Sequence, residues 1–238
     1  MSGLFTKKIL PTLPNIPVIN PKPKEETSPV KSEPQLAPLP PKDAKIIRYP
    51  RCNREMVIDY QNKWNSMIPR PQYLSQIKSS AALCLRGKEE YQKAAKVTGL
   101  PWELIAVIHK MEGNCDMKAC LANGERIIGT GRKTTLVPRG KGPFNSFHES
   151  AIDSIGSESR RPIGFRWDVP NTLFYLEMYN GFGPRNKGYP SAYIWSYTNH
   201  YSKGKYIADG VWSAEAVSKQ CGAAIILKEL NWIPESWE

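Results

Sequence analysis

Cysteine is scarce in this chain and histidine scarcer: five and three in 238 residues. No two cysteines form a C-x-x-C pair, and an odd total of sparse thiols excludes a disulfide scaffold. Cys115 and Cys120 are near enough in sequence to be bridged if the loop between them permits. No segment reads as an export signal, however, so reduced thiols are the expectation. His109, His148 and His200 are scattered, and His109-x-x-Glu112 lacks the further ligands of a zinc site, so neither metal nor cofactor is expected. Long apolar runs are missing too. Nothing approaches the roughly 18 residues of a membrane span, and M-S-G-L-F-T-K-K-I-L is too short and interrupted for a signal peptide.

What is present is positive charge. The formal net charge of +11 calls for an anionic partner such as nucleic acid, a membrane surface or a bacterial envelope. Arg132, Lys133, Arg139, Lys141, Arg160, Arg161, Arg185, Lys187, Lys203 and Lys205 are spread along the chain, whereas nucleic-acid binders gather such residues on one helix or stripe. A solvated basic surface that only aids solubility stays open. Proline is unevenly placed, with ten of 21 in the first 41 residues. Pro11 to Pro41 interleaves Pro with Lys, Glu and Ser and shows no helical or strand period, so residues 1–45 read as an extended arm, or one ordered only on a partner. Residues 46–238 read as one folded domain.

That domain is patterned as helices. Met56, Val57, Tyr60, Trp64, Met67 and Ile68 make one amphipathic face ahead of Pro69 and Pro71. Further helices are expected over Tyr73–Leu85, over Lys88–Val97 with Gly99 as the stop, and from Pro101 at a first helical position. Ser146-x-x-Glu149 is a capping-box signature opening a helix through Ile155. Pro170 opens another through Tyr179, ended by Asn180 and Gly181. Ser213 is expected to cap a long final helix rich in Ala214, Ala216, Gly222, Ala223 and Ala224. The glycine-rich stretch Asn123–Lys141 suits a loop with a short hairpin, and its G-T-G lacks the spacing of a phosphate loop.

One helix ends unusually. In P-W-E-L-I-A-V-I-H-K-M-E, Leu104, Ile108 and Glu112 fall at i, i+4, i+8, so a buried aliphatic stripe finishes in a carboxyl group. Burial disfavours the charged form and raises the pKa, which keeps a general acid protonated near neutrality. Taken alone, Glu112 also reads as the point where the apolar pattern stops, its side chain turned to solvent beside Gly113 and Asn114. The stretch Ser191–Gly210 gathers Tyr193, Trp195, Tyr197, Tyr201 and Tyr206 with Asn199, His200 and Lys203. Rings interleaved with polar tips suit a sugar, which has apolar faces and many hydroxyls; filling of the core is the competing use.

Taken together, P-W-E-L-I-A-V-I-H-K-M-E, N-G-E-R, G-T-G-R, L-E-M-Y-N-G-F-G, S-A-Y-I-W-S-Y-T-N-H-Y-S-K-G-K-Y and S-K-Q-C-G-A-A resemble a phage and bacterial lysozyme-like family of peptidoglycan hydrolases. More distantly, the helix-terminal Glu followed by Y-N-G resembles the soluble lytic transglycosylase and goose-type lysozyme superfamily. The resemblance spans roughly Lys93 to Leu230. It implies a mainly α, lysozyme-like domain with a small irregular or β-hairpin insertion, cutting the β-1,4 bond between N-acetylmuramic acid and N-acetylglucosamine. Glu112 would be the catalytic acid, Tyr179, Asn180 and Gly181 the turn that shapes the sugar site, and Tyr193, Trp195, Asn199, His200 and Tyr201 the glycan-holding residues. Gly113 stands where the superfamily more often has Ser or Thr. Asp116, Glu125 and Asp168 are candidates for a second carboxylate, with Asp168 also placed to cap the next helix.

The implied partner is bacterial peptidoglycan, with a phage structural protein as the partner for the arm. The place of action is the cell wall after cytoplasmic synthesis, or a phage virion. A wall-binding or virion structural protein of the same fold and little activity is the alternative, and a nucleic-acid-binding protein a more distant one. Because residues 1–45 have no core-forming pattern, their deletion is expected to leave melting temperature and action on purified peptidoglycan nearly unchanged. A large fall in melting temperature would show that the arm packs on the domain.

Overall fold

The computed structural model describes residues 52–155 and 165–236, so the proline-rich arm lies outside the described residues. Helices dominate: α1 (Arg54–Asn65), α2 (Leu74–Arg86), α3 (Lys88–Thr98), α4 (Trp102–Gly113), α5 (Phe147–Ile155), α6 (Val169–Asn180), the short α7 (Gly183–Asn186) and α8 (Ala192–Trp195), and α9 (Ala223–Glu229). Strands β1 (Lys205–Ala208) and β2 (Val211–Ser213) pair antiparallel, Lys205 opposite Ser213, as the one sheet among the described residues. The domain is therefore mainly α with a small hairpin.

Local chemistry sets most helix ends. The Asn53 side chain accepts from the Met56 N–H to start α1, and Asp168 accepts from the Asn171 N–H to start α6. At α5, the Ser146 hydroxyl accepts from the Glu149 N–H while the Glu149 carboxylate reaches back to the Asn145 N–H. Gly99 ends α3 at a φ of 67°, where a side chain would be strained. Pro101 is the residue before α4 and has an extended backbone, one place earlier than the first helical position expected of it.

Helix α4 is the packing centre. It contacts α2, α3 and α9; α1 lies on α6, and α8 bridges α6 to α9. Leu104 through His109 and Met111 are all buried, so α4 has no solvent face over its middle turns. On α1, Tyr60 is fully buried and Trp64 partly so, whereas Val57, and Ile68 in the turn beyond the helix, are exposed, which makes the apolar face narrower than its sequence pattern. A polar anchor joins α1 to α6. The hydroxyl of Tyr60 donates to the buried Glu177, and Arg185 forks onto the same carboxylate at 3.1 and 2.8 Å while reaching Asp59 at 3.2 Å.

Two expectations are corrected. There is no long final helix from Ser213: Val211–Ser213 is a strand, and the last helix starts at Ala223 after Gly222. The Ser213 hydroxyl accepts from the Ala216 N–H in a turn, and Gly222 sits where a Cβ would lie 2.6 Å from the carbonyl oxygens of Ile194 and Ser196. Gly222 thus serves close backbone approach, whereas Ala223 and Ala224, fully buried at the start of α9, do pack a helix closely, though a short one. The hairpin, likewise, lies at Lys205–Ser213 and not within Asn123–Lys141. In that loop the Glu125 carboxylate collects the N–H groups of Thr135 and Leu136 and the Thr135 hydroxyl, so a side chain ties the loop without a strand ladder.

The aromatic segment is woven into this frame. Trp195 and Tyr201 are only 1% and 3% exposed and belong to the main core. Asn199 exchanges backbone and side-chain hydrogen bonds with Ile68 and Ser66, His200 meets the Ser66 hydroxyl, and Arg70 donates to the carbonyls of Thr198 and Tyr201. These residues therefore hold the turn after α1, and Trp195 and Tyr201 act as core instead of presenting their rings to a groove. Trp195→Ala is expected to cost about 3–5 kcal/mol of unfolding free energy, as for a fully buried large aromatic. Denaturant melts measure it, and a variant of unchanged stability would return the ring to the surface.

Candidate functional site

Glu112 sits in the last turn of α4, where the helix leaves the core. The chain turns sharply there. Asn114 and Cys115 both adopt positive φ, 51° and 59°, and the Asn114 N–H closes the helix on the His109 carbonyl. His109 supports the turn from beneath. Its Nε2 lies 3.0 Å from the Asp116 carbonyl, which only accepts, so Nε2 carries the proton and Nδ1 accepts from the Tyr91 hydroxyl at 2.9 Å. Burial lowers the pKa of His109 to about 4, which keeps it neutral and structural.

Two glycines fit against the acid's backbone. A Cβ on Gly113 would lie 2.8 Å from that of Ala119, so the tight return of the chain excludes Ser or Thr at this position. A Cβ on Gly124 would lie 2.1 Å from the Glu112 carbonyl oxygen, and its φ of 75° is itself glycine-like. The N-G-E-R turn is thereby packed directly onto the end of α4. On another side, the Gln220 side-chain amide donates to the Met111 carbonyl at 2.6 Å, supplying one of the partners a helix C-terminus lacks.

Burial raises the pKa of Glu112 from 4.5 to about 7, opposed by the Tyr193 hydroxyl, which favours the carboxylate. The phenol is buried beside the carboxyl group without a hydrogen bond of good geometry. Tyr179 and Tyr175 share this neighbourhood through their electrostatic coupling to Tyr193. The Tyr179 hydroxyl donates to the Leu121 carbonyl at 2.9 Å, joining the Y-N-G turn to the segment that follows the acid. Asn180 is exposed, and Gly181 turns the chain at a φ of 95°.

A cleft of about 690 Å³ runs beside Glu112 between two walls. Ser75, Gln76, Ser79, Ser80 and Leu83 of α2 form one, the end of α4 from Lys110 to Asn114 the other, and Tyr197, Lys219, Gln220 and Cys221 close it. Tyr197 stacks on Tyr73 with ring centroids 3.9 Å apart, and its hydroxyl donates to the Lys219 carbonyl. Of the residues expected to hold the glycan, Tyr179 and Tyr193 gather at the acid, while Trp195, Asn199, His200 and Tyr201 serve the fold; none lines this cleft. Sequence reasoning missed the α2 wall and Gln220, whereas Tyr197, read with the aromatic segment, does line the cleft. Gln220 lies inside S-K-Q-C-G-A-A, so the motif was visible though its amide's role was not.

The three further carboxylates are all engaged. Asp116 pairs with Arg126 at 2.5 Å and accepts from the Lys118 N–H, Glu125 ties its loop, and Asp168 caps α6. Among the described residues no group of three or more His, Cys, Asp or Glu is placed to hold a metal ion. Comparison with protein-family models, curated proteins and solved structures finds no match.

The raised pKa carries a stability consequence. Between about 4.5 and about 7 the folded chain binds this proton more tightly than the unfolded chain, so Glu112 lowers stability progressively as pH rises through that window. At about 1.4 kcal/mol per pKa unit, the loss reaches at most roughly 3 kcal/mol. Glu112→Gln, which stays neutral, is therefore expected to gain melting temperature over the natural chain at pH 8 but not at pH 4. A difference that is equal at both values would show a solvated carboxyl group.

Proposed function

We propose that this chain is a peptidoglycan-degrading muramidase of lysozyme-like fold, a lysozyme or lytic transglycosylase that cleaves the β-1,4 bond between N-acetylmuramic acid and N-acetylglucosamine. The observation that carries the reading is Glu112, a carboxyl group at the end of a buried helix and at the edge of a cleft, whose pKa burial raises to about 7. A protonated acid there can deliver its proton to the glycosidic oxygen as the C1–O bond breaks, and the resulting carboxylate can then accept one.

With Asp116, Glu125 and Asp168 each committed elsewhere, the step that follows falls to the same group. The Glu112 carboxylate removes a proton from the sugar's own C6 hydroxyl as its oxygen attacks C1, giving a 1,6-anhydro end, or from a water that attacks C1, giving a reducing end. The two products differ by one water, so mass spectrometry of released muropeptides distinguishes them. Tyr193 stands against the acid and Tyr179 braces the chain behind it. The protein would act on the wall after cytoplasmic synthesis, or from a phage particle.

The second reading, a wall-binding or virion structural protein of weak activity, draws on the commitment of Trp195, Asn199, His200 and Tyr201 to the fold. Loss of the acid decides between the two. General acid catalysis contributes about 10² to 10⁴-fold, so Glu112→Gln is expected to lose most release of dye from labelled peptidoglycan while still binding it. Lysis at the natural rate by the folded variant would remove Glu112 from the chemistry, and a natural chain that binds without releasing dye would favour the structural reading.

A further inference from the structure

Three residues beyond the acid lies a thiol pair that the proposed reaction does not use. Cys84, near the end of α2, and Cys115, in the left-handed turn after α4, have their sulfur atoms 3.9 Å apart. The sequence neighbour Cys120 is turned away, its thiol donating to the Asn123 side-chain oxygen at 3.0 Å. Proximity in the fold thus picks a different pair from proximity in the chain. Both Cys84 and Cys115 also face the Ala106 carbonyl, at 3.6 and 4.0 Å, which places them side by side against one turn of α4.

We propose that Cys84 and Cys115 form a redox modification site, a dithiol that a low-molecular-weight disulfide oxidises to an intramolecular disulfide linking α2 to the turn behind Glu112. The geometry requires the sulfurs to close by about 2 Å to reach bonding distance, a movement of side-chain rotation. Access and reactivity divide between the two. Cys115 is partly exposed, and the Cys84 thiol beside it, against the opposing effect of burial and with help from the Tyr91 hydroxyl and then Lys110 and Arg86, holds its pKa below the ordinary value. Cys84 is fully buried and its pKa is raised, first by that same contact and then by burial.

The Cys115 thiolate therefore attacks one sulfur of the reagent, forming a mixed disulfide and releasing the first small thiolate. Cys84 then gives up its proton and attacks the Cys115 sulfur, and the second small thiol leaves. Two protein thiols and one small disulfide become one protein disulfide and two small thiols. Because α2 forms one wall of the cleft and the end of α4 the other, the new bond fixes the spacing of the walls beside Glu112.

The test uses the full chain, natively folded, incubated with oxidised glutathione and digested without reduction. Trypsin separates the relevant thiols into 79–86, 111–118, 119–126 and 220–228. The expected result is an intact mass lower by two hydrogens, a peptide joining 79–86 to 111–118, and a melting temperature higher by roughly 10 °C from closure of this loop. Cys84→Ser is expected to stop at a persistent glutathione adduct on Cys115, and mapping of the natural chain decides even where this variant fails to fold. A bond from Cys115 to Cys120, a bond from Cys84 to Cys221, or a lasting adduct on the natural chain would overturn the proposal. These readouts do not involve glycan cleavage, so they stand or fall apart from the proposed activity.

Discussion

The structure turns on the burial of one helix end. A helix surrounded by others over its middle must still leave the core, and its last carbonyl groups then need partners while its last side chain meets little water. At the end of α4 that requirement is met piece by piece. Gln220 takes the Met111 carbonyl, Asn114 closes on His109, His109 holds Asp116, and Gly124 lies against the Glu112 backbone. Together they close the chain around the end of the helix that carries the carboxyl group. Its raised pKa is therefore a product of the packing as a whole, with Tyr193 as the polar neighbour that works against it.

Glu177 makes the comparison sharp. It is a fully buried acid on a core helix, and it lies in the motif read for its Y-N-G turn. Its carboxylate, however, is enclosed by the Arg185 guanidinium and the Tyr60 hydroxyl, with Asp59 completing the network. Ion pairing of this kind commits an acid to architecture, since freeing it would strand a charge in the core. Glu112 meets a phenol where Glu177 meets a guanidinium. The difference in neighbours, together with the partial exposure of Glu112 at the cleft against the full burial of Glu177, separates an acid that reaches a cleft from one that fastens α6 to α1.

Much of the helical frame was legible because its signals are local. The capping at Ser146 and Asp168, the stop at Gly99 and the stripe from Leu104 to Glu112 each need only a few residues of sequence. What stayed hidden depends on distant partners. Small residues around Gly222 match a packed helix as well as they match a backbone crossing, and only the carbonyls of Ile194 and Ser196 decide. The glycines of Asn123–Lys141 allow a hairpin, but Glu125 gathers the loop with its side chain first. Cys115 and Cys120 are close in sequence, yet the left-handed turn at Asn114 and Cys115 aims that thiol at α2. Gln220 carries no periodic signature, and the α2 wall, though Ser75, Ser79 and Leu83 recur at helical spacing, is built of residues that mark no site by themselves.

The aromatic segment shows how a misplaced contact can still have functional meaning. Trp195 and Tyr193 lie two residues apart on the four-residue α8, too short to hold its own shape without tertiary support. Trp195 is sunk in the core and Tyr193 stands at the Glu112 carboxyl, so the burial of one ring sets the position of the other. Gly222 presses on the backbone of Ile194 and Ser196 from behind, and the turn through Asn199 and Arg70 ties the segment to the end of α1. Rings that a sequence reading assigns to the sugar thereby act on the acid through α8. The residue composition that suits a carbohydrate groove serves equally to hold a phenol against a carboxyl group, because both tasks need a large apolar body with a polar tip.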